Sequence, residues 1–225
     1  MKLIAVRHGE TEWNRERRDM GQLDSPLTTR GVRQAEALAA RLEHVPIDAL
    51  YTSDLGRAVA TARIIAEATG VEPIIDARLR ERHLGIFQGL TKDEAASRFP
   101  AEYGDYRRLG HYYQIPGGES GEQRTERSVA ALTEIAERHN AGTILVVTHG
   151  SFLMGFFEHV LAMTPGNGWR FRRQNAAYND FEYTAEGWSL KTWNDTEHLV
   201  GVGSIDDPTD EGERNAQPPD AHEQE

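Results

Sequence analysis

The chain of 225 residues contains no cysteine. Disulfide bridges, a thiolate nucleophile and cysteine-ligated metal sites are therefore excluded. No stretch approaches the roughly 20 consecutive apolar residues that a membrane-spanning helix needs, so no membrane partner is expected. The first residues have the pattern of a strand rather than of a basic and apolar leader, so no export signal is expected either. These absences are typical of a cytoplasmic protein.

Basic residues are in the minority, with 25 lysines and arginines against 36 aspartates and glutamates and a formal net charge of -11. So acidic a chain is not expected to bind nucleic acid. Much of the excess lies in residues 205–225, where eight acidic side chains and three prolines accompany Arg214 as the one cation. Such a segment cannot bury enough surface to offset its ordering entropy. We therefore predict one domain over residues 1–204, followed by a disordered acidic tail.

Strand and helix patterns alternate along the rest of the chain. This alternation predicts a single-domain α/β fold, a three-layer sandwich with a mostly parallel central sheet and helices on both faces. Thr28, Thr91 with Glu94, and Ser120 with Gln123 are predicted to cap three helices. The predicted strands are 3–6, 49–52, 73–76, 144–148, 176–183 and 189–193, and helices are predicted over 28–43 and over 55–69, the latter ending at Gly70.

Two of the predicted strands end in the same way. The apolar run 3–6 is followed by Arg7, His8 and Gly9, and the run 144–148 is followed by His149 and Gly150. A glycine directly after the strand lets the backbone turn sharply. Each strand end therefore presents one imidazole.

Two other strand patterns are followed by further charged candidates. Arg57 falls in the first turn of the helix after strand 49–52, and Glu81 follows strand 73–76. In these combined motifs the chain resembles the histidine phosphatase superfamily, the phosphoglycerate-mutase-like enzymes. The resemblance runs from Lys2 to about Leu199.

These residue types suit the chemistry of phosphate esters. A phosphate monoester carries up to two negative charges, and a neutral imidazole is a nucleophile that such an anion does not repel. Arginine forks bind phosphate oxygens bidentately, and helix N-termini add backbone N–H donors. The sequence therefore predicts an anion pocket around an imidazole, which takes a small phosphorylated metabolite and uses neither a metal nor a cofactor.

The resemblance implies a role for each motif residue. His8 matches the nucleophile that forms a transient phosphohistidine, and His149 the second imidazole, which donates hydrogen bonds to the phosphate. Arg7 and Arg57 match the phosphate clamps. Glu81 matches the carboxylate that protonates the leaving alkoxide and then activates water, for which a raised pKa would suit it.

Two further residues complete the predicted phosphate pocket. Asn14 matches the amide of the family's Glu-Thr-x-Trp-Asn run and is expected to contact the phosphate. Gly150 offers its backbone at the start of the following helix.

The residues by themselves leave other interpretations open. Two histidines and a glutamate could bind zinc, although two neighbouring arginines would repel a cation. Glu81 could simply pair with Arg80 or Arg82, and Asn14 could be a loop former. A non-catalytic phosphate-binding module is a further alternative.

The resemblance also leaves two activities. The run from Glu81 to Lys92 is similar to that of cofactor-dependent phosphoglycerate mutases, but Leu84 stands where mutases have tyrosine. The stretch 106–118 is short compared with the mutase insertion, so water would reach a phosphohistidine. We therefore predict a metal-independent phosphomonoesterase with mutase activity as the alternative, and leave a homo-oligomeric state open. The candidate substrate-binding residues outside the phosphate pocket are His83, Lys92, Arg107, Arg108 and His198.

Overall fold

The computed structural model describes residues 1–139 and 141–203, so the predicted acidic tail lies outside the described part of the chain. The strands are β1 (Lys2–Arg7), β2 (Arg18–Asp19), β3 (Ala49–Thr52), β4 (Pro73–Ile75), β5 (Leu90–Thr91), β6 (Thr143–Thr148), β7 (Tyr178–Thr184) and β8 (Gly187–Asp195). The α-helices are α1 (Glu12–Arg15), α2 (Thr29–Leu42), α3 (Gly56–Thr69), α4 (Lys92–Arg98), α5 (Pro100–Leu109), α6 (Gly121–His139) and α7 (Gly150–Val160).

A six-stranded sheet in the order β4-β3-β6-β1-β7-β8 forms the middle layer. The first four strands in this order run parallel, whereas β7 is antiparallel to β1 and β8 is antiparallel to β7. The short strands β2 and β5 form a separate antiparallel pair. The predicted α/β fold with a mostly parallel sheet is confirmed.

Side chains of the central strands alternate between two hydrophobic cores. Leu3 and Ala5 of β1 face the core built with α6 and α7, and Ile4 and Val6 face the core built with α2 and α3. All four side chains are fully buried. A strand buried on both faces reads as a continuous apolar run, which explains the uninterrupted pattern in the sequence.

The predicted helix boundaries are largely confirmed. The hydroxyl of Thr28 accepts the backbone N–H of Gly31 at the start of α2, and Thr91 forms a capping box with Glu94 at α4. The backbone amides and side chains of Ser120 and Gln123 cap α6 reciprocally. Helix α3 ends at Gly70, whose φ of 71° lies in the left-handed region. Each of these helix ends is determined by residues within one turn of it, so it can be predicted from the sequence.

Helix α5 is the main element that the sequence pattern does not predict. Its first residue is a proline and it contains no buried residue, so it lacks the apolar stripe by which helices are recognised. It is held by aromatic contacts instead. The rings of Tyr103 and Tyr106 lie 5.8 and 5.5 Å from that of Phe87, in a small third cluster beside the main cores.

The last strand pair differs from its predicted bounds of 176–183 and 189–193, because β7 ends at Thr184 and β8 extends by two residues at each end, over Gly187–Asp195. Strand β7 begins at Tyr178 rather than at 176, because Ala176 has a φ of 54° and turns the chain. The N–H of Ala176 donates to the carbonyl of Arg7 (3.0 Å), which ties this turn to the end of β1. Within the described residues, no helix is long and apolar enough to cross a membrane.

Candidate active site

His8 lies at the end of β1 and is almost completely buried. Its Nδ1 lies 2.8 Å from the carbonyl oxygen of Gly9, and its Nε2 lies 3.3 Å from Nε of Arg57. Since a carbonyl only accepts and a guanidinium only donates, this pairing assigns the proton to Nδ1 and a free electron pair to Nε2. Burial, and then the charges of Arg57 and Arg7, hold the pKa of His8 well below its usual range. The imidazole is therefore neutral near pH 7.

His149 faces His8 from the end of β6, with the ring centroids 5.2 Å apart and the ring planes at 58°. Burial, and then the charge of Arg57, lower its pKa well below the usual range as well. Both of its ring nitrogens are buried without a hydrogen-bond partner among the described residues. A buried polar atom without a partner is costly, so these nitrogens are suited to a ligand that enters between the two rings.

Arg57 is held rigidly beside His8. Its Nη1 donates to the carbonyl of Leu23 (2.7 Å) and to Asp24 (3.1 Å), and its Nη2 donates to the carbonyl of Gly21 (2.8 Å). The guanidinium is buried, and burial lowers its pKa, an effect that Glu81 and Asp24 partly offset. A charge fixed in this way needs little reorganisation when an anion binds.

Arg7, the last residue of β1, is close enough to both imidazoles for its charge to lower their pKa values. Its Nη1 donates to the carbonyl of Arg173 (2.6 Å). A Cβ added to Gly150 would lie 3.2 Å from Nε of Arg7 and 3.3 Å from Cδ of Arg173. A side chain at the first residue of α7 would therefore displace these two arginine side chains by a few tenths of an ångström.

Glu81 lies at the N-terminus of α7, next to His149. Its carboxylate accepts the backbone N–H groups of Ser151 (2.9 Å), Phe152 (3.0 Å) and Arg82 (2.7 Å). The flanking arginines have other partners: Arg80 pairs with Asp54, and Arg82 donates to the carbonyl of Glu119. The structure thus shows Glu81 capping a helix and not in a simple pair with its neighbours. Its Oε2 accepts only one of these bonds, which leaves an electron pair for a proton or a water.

Arg127 of α6 and Gln22 hold the segment that carries Glu81, and sequence reasoning missed both. Arg127 donates to the carbonyls of Arg78 (2.8 Å), Arg80 (2.7 Å) and Glu81 (3.2 Å). The side-chain amide of Gln22 donates to the same carbonyl of Glu81 (3.1 Å). These contacts join residues far apart in the chain, and no local pattern indicates them.

Asn14 has a largely structural set of partners. Its side-chain oxygen accepts the backbone N–H of Thr11 (3.1 Å) and the amide of Asn175 (3.2 Å). Asn175, a buried residue that the sequence did not single out, also donates to the carbonyl of His8 (3.0 Å). The two amides connect α1 to the turn that follows β1.

The remaining predicted substrate-binding residues lie in different surroundings. Lys92 is exposed at the start of α4, and Arg107 is exposed on α5 near Tyr103. Arg108, also exposed, pairs with Asp105 (2.7 Å) on the outer surface of α5.

The two predicted histidines outside the phosphate pocket have protein partners. Nδ1 of His83 accepts the N–H of Gly85 (3.1 Å). His198 bonds the carbonyl of Ala176 (2.9 Å) and contacts Arg41 of α2. The structure thus brings Arg7, His8, Arg57, Glu81 and His149 together, and it does not bring Arg108 or His198 into that group.

Comparisons with known proteins agree with this geometry. A model of the histidine phosphatase superfamily (branch 1) matches residues 3–196. The metal-independent phosphoserine phosphatase of Arabidopsis thaliana is 37% identical over 208 residues, which cover 91% of this chain and 85% of that protein. A protein designated probable phosphoglycerate mutase GpmB, from Salmonella choleraesuis, is 37% identical over 88% of this chain and 95% of its own length.

A solved structure agrees as well. YhfR of Bacillus stearothermophilus superposes with a TM-score of 0.81 at 34% identity, over 88% of this chain and 98% of that one. The family named from the sequence motifs is thereby confirmed. The chain belongs to branch 1 of the histidine phosphatase superfamily.

Proposed function

We propose that this protein is a metal-independent phosphomonoesterase that hydrolyses small phosphorylated metabolites through a phosphohistidine at His8. The observation that carries the proposal is which nitrogen of that imidazole carries the proton. Its Nδ1 donates to the carbonyl of Gly9, so Nε2, which lies 3.3 Å from Nε of Arg57, carries the electron pair, and the ring centroid lies 5.2 Å from that of His149. A neutral nucleophile thus lies inside a cationic pocket, as attack on a phosphate dianion requires.

The reaction proceeds in two displacements. Nε2 of His8 attacks phosphorus as the ester P–O bond breaks, and Glu81 gives its proton to the leaving alkoxide. Glu81 then takes a proton from water, whose oxygen attacks the phosphohistidine. The N–P bond breaks, its electron pair returns to Nε2, and phosphate leaves. Arg7, Arg57 and His149 stabilise the charge on the equatorial oxygens in both steps.

Two arginines and a capped carboxylate support metal independence. A divalent cation beside Arg7 and Arg57 would meet repulsion where a phosphate gains attraction. Glu81 already accepts three backbone N–H groups and has no hydrogen-bond contact with either imidazole. Within the described residues, no group of histidines and carboxylates is arranged to hold a metal ion.

Hydrolysis is favoured over phosphoryl transfer between substrates by the region around α5. Leu84, at the position of the mutase tyrosine, packs on the apolar cluster with Phe87 and offers no hydroxyl to a substrate. The segment after α5 is one short turn, residues Gly110–Tyr112, followed by a loop to α6. Phosphorylated small acids are the proposed substrates, because Lys92 and Arg107 are exposed cations on α4 and α5 that are suited to binding a carboxylate.

The proposal is tested by trapping the covalent intermediate. Wild-type protein incubated with a phosphorylated substrate in the presence of a chelator should acquire an acid-labile, base-stable label and should release phosphate. His8→Ala should lose both while keeping a cooperative unfolding transition, and His44→Ala, an exposed histidine beyond α2, is the matched control. Full labelling of His8→Ala would remove His8 from this role, and activity restored by zinc would favour the metal alternative.

A further inference from the structure

The turn before β7 holds the backbone around His8. The N–H of Ala176 donates to the carbonyl of Arg7 (3.0 Å), and the side-chain amide of Asn175 donates to the carbonyl of His8 (3.0 Å). Ala176 and Asn175 are both completely buried. Because a peptide group is planar, these two bonds fix the peptides on either side of the His8 Cα, and with them the direction in which the imidazole leaves the backbone.

Ala176 has a backbone conformation that alanine rarely adopts. Its φ of 54° lies in the left-handed region, which is unfavourable for a residue with a Cβ. Such a conformation persists only where surrounding contacts determine it. The N–H of Ala176 is held by Arg7, so the partner of its carbonyl decides whether the turn is fixed on both sides.

His198 is the partner of that carbonyl. It lies in the short turn Glu197–Leu199 after β8, and its Nε2 lies 2.9 Å from the carbonyl oxygen of Ala176. Its Nδ1 lies 3.2 Å from Nη1 of Arg41 on α2. Since a carbonyl only accepts and a guanidinium only donates, the proton is on Nε2 and the electron pair on Nδ1. Burial, above all, lowers the pKa of His198, and the charge of Arg41 adds to this, so the neutral form is favoured.

The residues around His198 hold its ring in place. Nη2 of Arg41 donates to Asp195 (2.6 Å), and Cζ of Arg41 lies 4.2 Å from the centroid of the Tyr178 ring. Leu199, the next residue after His198, is buried in the core with α2 and α3. The Nε2–H group of His198 therefore has a fixed direction.

The same C-terminal segment is also connected with the chain after His8. The carbonyl of Gly203 accepts Nε2 of Gln34 (2.9 Å), a completely buried residue of α2. Oε1 of Gln34 in turn accepts the backbone N–H of Glu10 (2.9 Å), two residues after His8. Residues 197–203 are thus linked to the backbone before His8 through one residue and to the backbone after it through another.

We infer that His198 is a positioning residue for the nucleophile. Through the carbonyl of Ala176 it fixes the backbone of Arg7 and His8, and thereby the line along which Nε2 of His8 meets phosphorus. This inference rests on the proposed phosphatase function. A nucleophile that is slightly misplaced loses rate although the substrate still binds, so the role of His198 should appear in kcat and not in KM.

The inference is tested with three substitutions of His198. His198→Phe keeps most of the ring volume and His198→Ala removes it, and neither side chain can donate to Ala176. Both should lower kcat by about fivefold, as for the loss of one hydrogen bond, and change KM by less than about twofold. His198→Gln has a donor for Ala176 and an acceptor for Arg41, as the neutral imidazole does, and should restore kcat. His44→Ala, at an exposed histidine beyond α2, is the matched control and should change neither constant.

The leaving group separates this role from that of Glu81. Attack by His8 is common to all substrates, so the loss in His198→Phe should be equal for alkyl and aryl phosphates. The rate at which p-nitrophenyl phosphate labels His8, followed by rapid quenching, should fall by the same factor as kcat.

The outcomes separate the inference from the function on which it rests. An unchanged kcat in a folded His198→Phe or His198→Ala overturns the role of His198 and leaves the phosphatase standing. Equal losses in His198→Gln and His198→Phe, or the absence of a cooperative unfolding transition in both His198→Phe and His198→Ala, would assign His198 to structure alone. A raised KM with kcat unchanged would assign it to substrate binding instead. Failure of the wild type to hydrolyse p-nitrophenyl phosphate or to acquire the label overturns the proposed function itself.

Discussion

The tautomer of His8 follows from a single backbone contact. The carbonyl of Gly9 can only accept, so it holds the proton on Nδ1 and leaves the electron pair on Nε2, the atom that attacks phosphorus in the proposed reaction. Glycine at this position has a steric reason too, because a Cβ there would lie 2.4 Å from the carbonyl oxygen of Gly31. The same glycine thus orients the imidazole and lets the turn pack against the start of α2.

Glu81 provides a prediction that depends on the leaving group. Glu81→Gln removes the transferable proton, so hydrolysis of alkyl phosphates should fall by at least about 10²-fold in kcat, and that of aryl phosphates by much less. A nitrophenolate leaves without protonation, whereas an alkoxide does not. Glutamine retains one acceptor oxygen but presents N–H groups to the start of α7, which disturbs the helix cap. Comparing both substrates within the one variant cancels that disturbance, and equal losses would show that Glu81 does not act as the acid.

The two buried imidazoles predict how stability depends on pH. Both have pKa values lowered well below 6.5, so the unfolded chain takes up protons first as the pH falls. The free energy of unfolding should therefore be highest above pH 6.5 and decline below it, by up to about 1.4 kcal/mol per pH unit for each histidine. His149→Gln should remove the contribution of one histidine from this pH dependence of the unfolding free energy. The measurement is urea unfolding in phosphate-free buffer between pH 7.5 and 5.5. His44→Gln is the control, and a pH dependence unchanged by His149→Gln would contradict the assignment.

At the scale of elements, the sequence predicts what is local and misses what depends on packing. Caps such as Thr28 and Gly70 act within one turn and could be read directly. Helix α5 could not, since aromatic contacts with distant residues hold it. The candidate catalytic side chains follow strand ends and were identifiable, whereas Arg127 and Asn175 gain their positions only when separate elements meet.

Helix α6 illustrates such long-range positioning. Arg127→Gln should lower kcat by about tenfold while changing KM little, because the loop carrying Glu81 loses donors to three carbonyls. The leaving-group dependence should move towards that of Glu81→Gln, which a merely destabilised protein would not show. Arg138→Gln is the matched control on the same helix, where Arg138 pairs with Glu134 at the surface. A loss in Arg127→Gln that is equal for alkyl and aryl phosphates would indicate a structural role alone.

At the scale of the molecule, the parallel strands β1 and β6 are hydrogen-bonded neighbours that end at the same edge of the sheet. Their registers pair Arg7 with Thr148, so His8 and His149 follow at the same level. The register of the two strands therefore brings together two imidazoles that are about 140 positions apart in the chain. The order of the strands could not be read from the sequence, although the convergence of their ends is general for parallel sheets.

The segment after α5 provides a prediction about the phosphoryl acceptor, which is water in a phosphatase and a second substrate in a mutase. Because one short turn and a loop follow α5, we expect water to intercept the phosphohistidine before a bound acceptor does. With 3-phosphoglycerate, phosphate release should exceed isomerisation by at least about tenfold, and adding a bisphosphoglycerate primer should not reverse this order. Phosphorus NMR of the reaction mixture distinguishes the isomers from free phosphate. Isomerisation that outpaces phosphate release and requires the primer would assign the protein to the mutase alternative, and the phosphohistidine chemistry at His8 would stand unchanged.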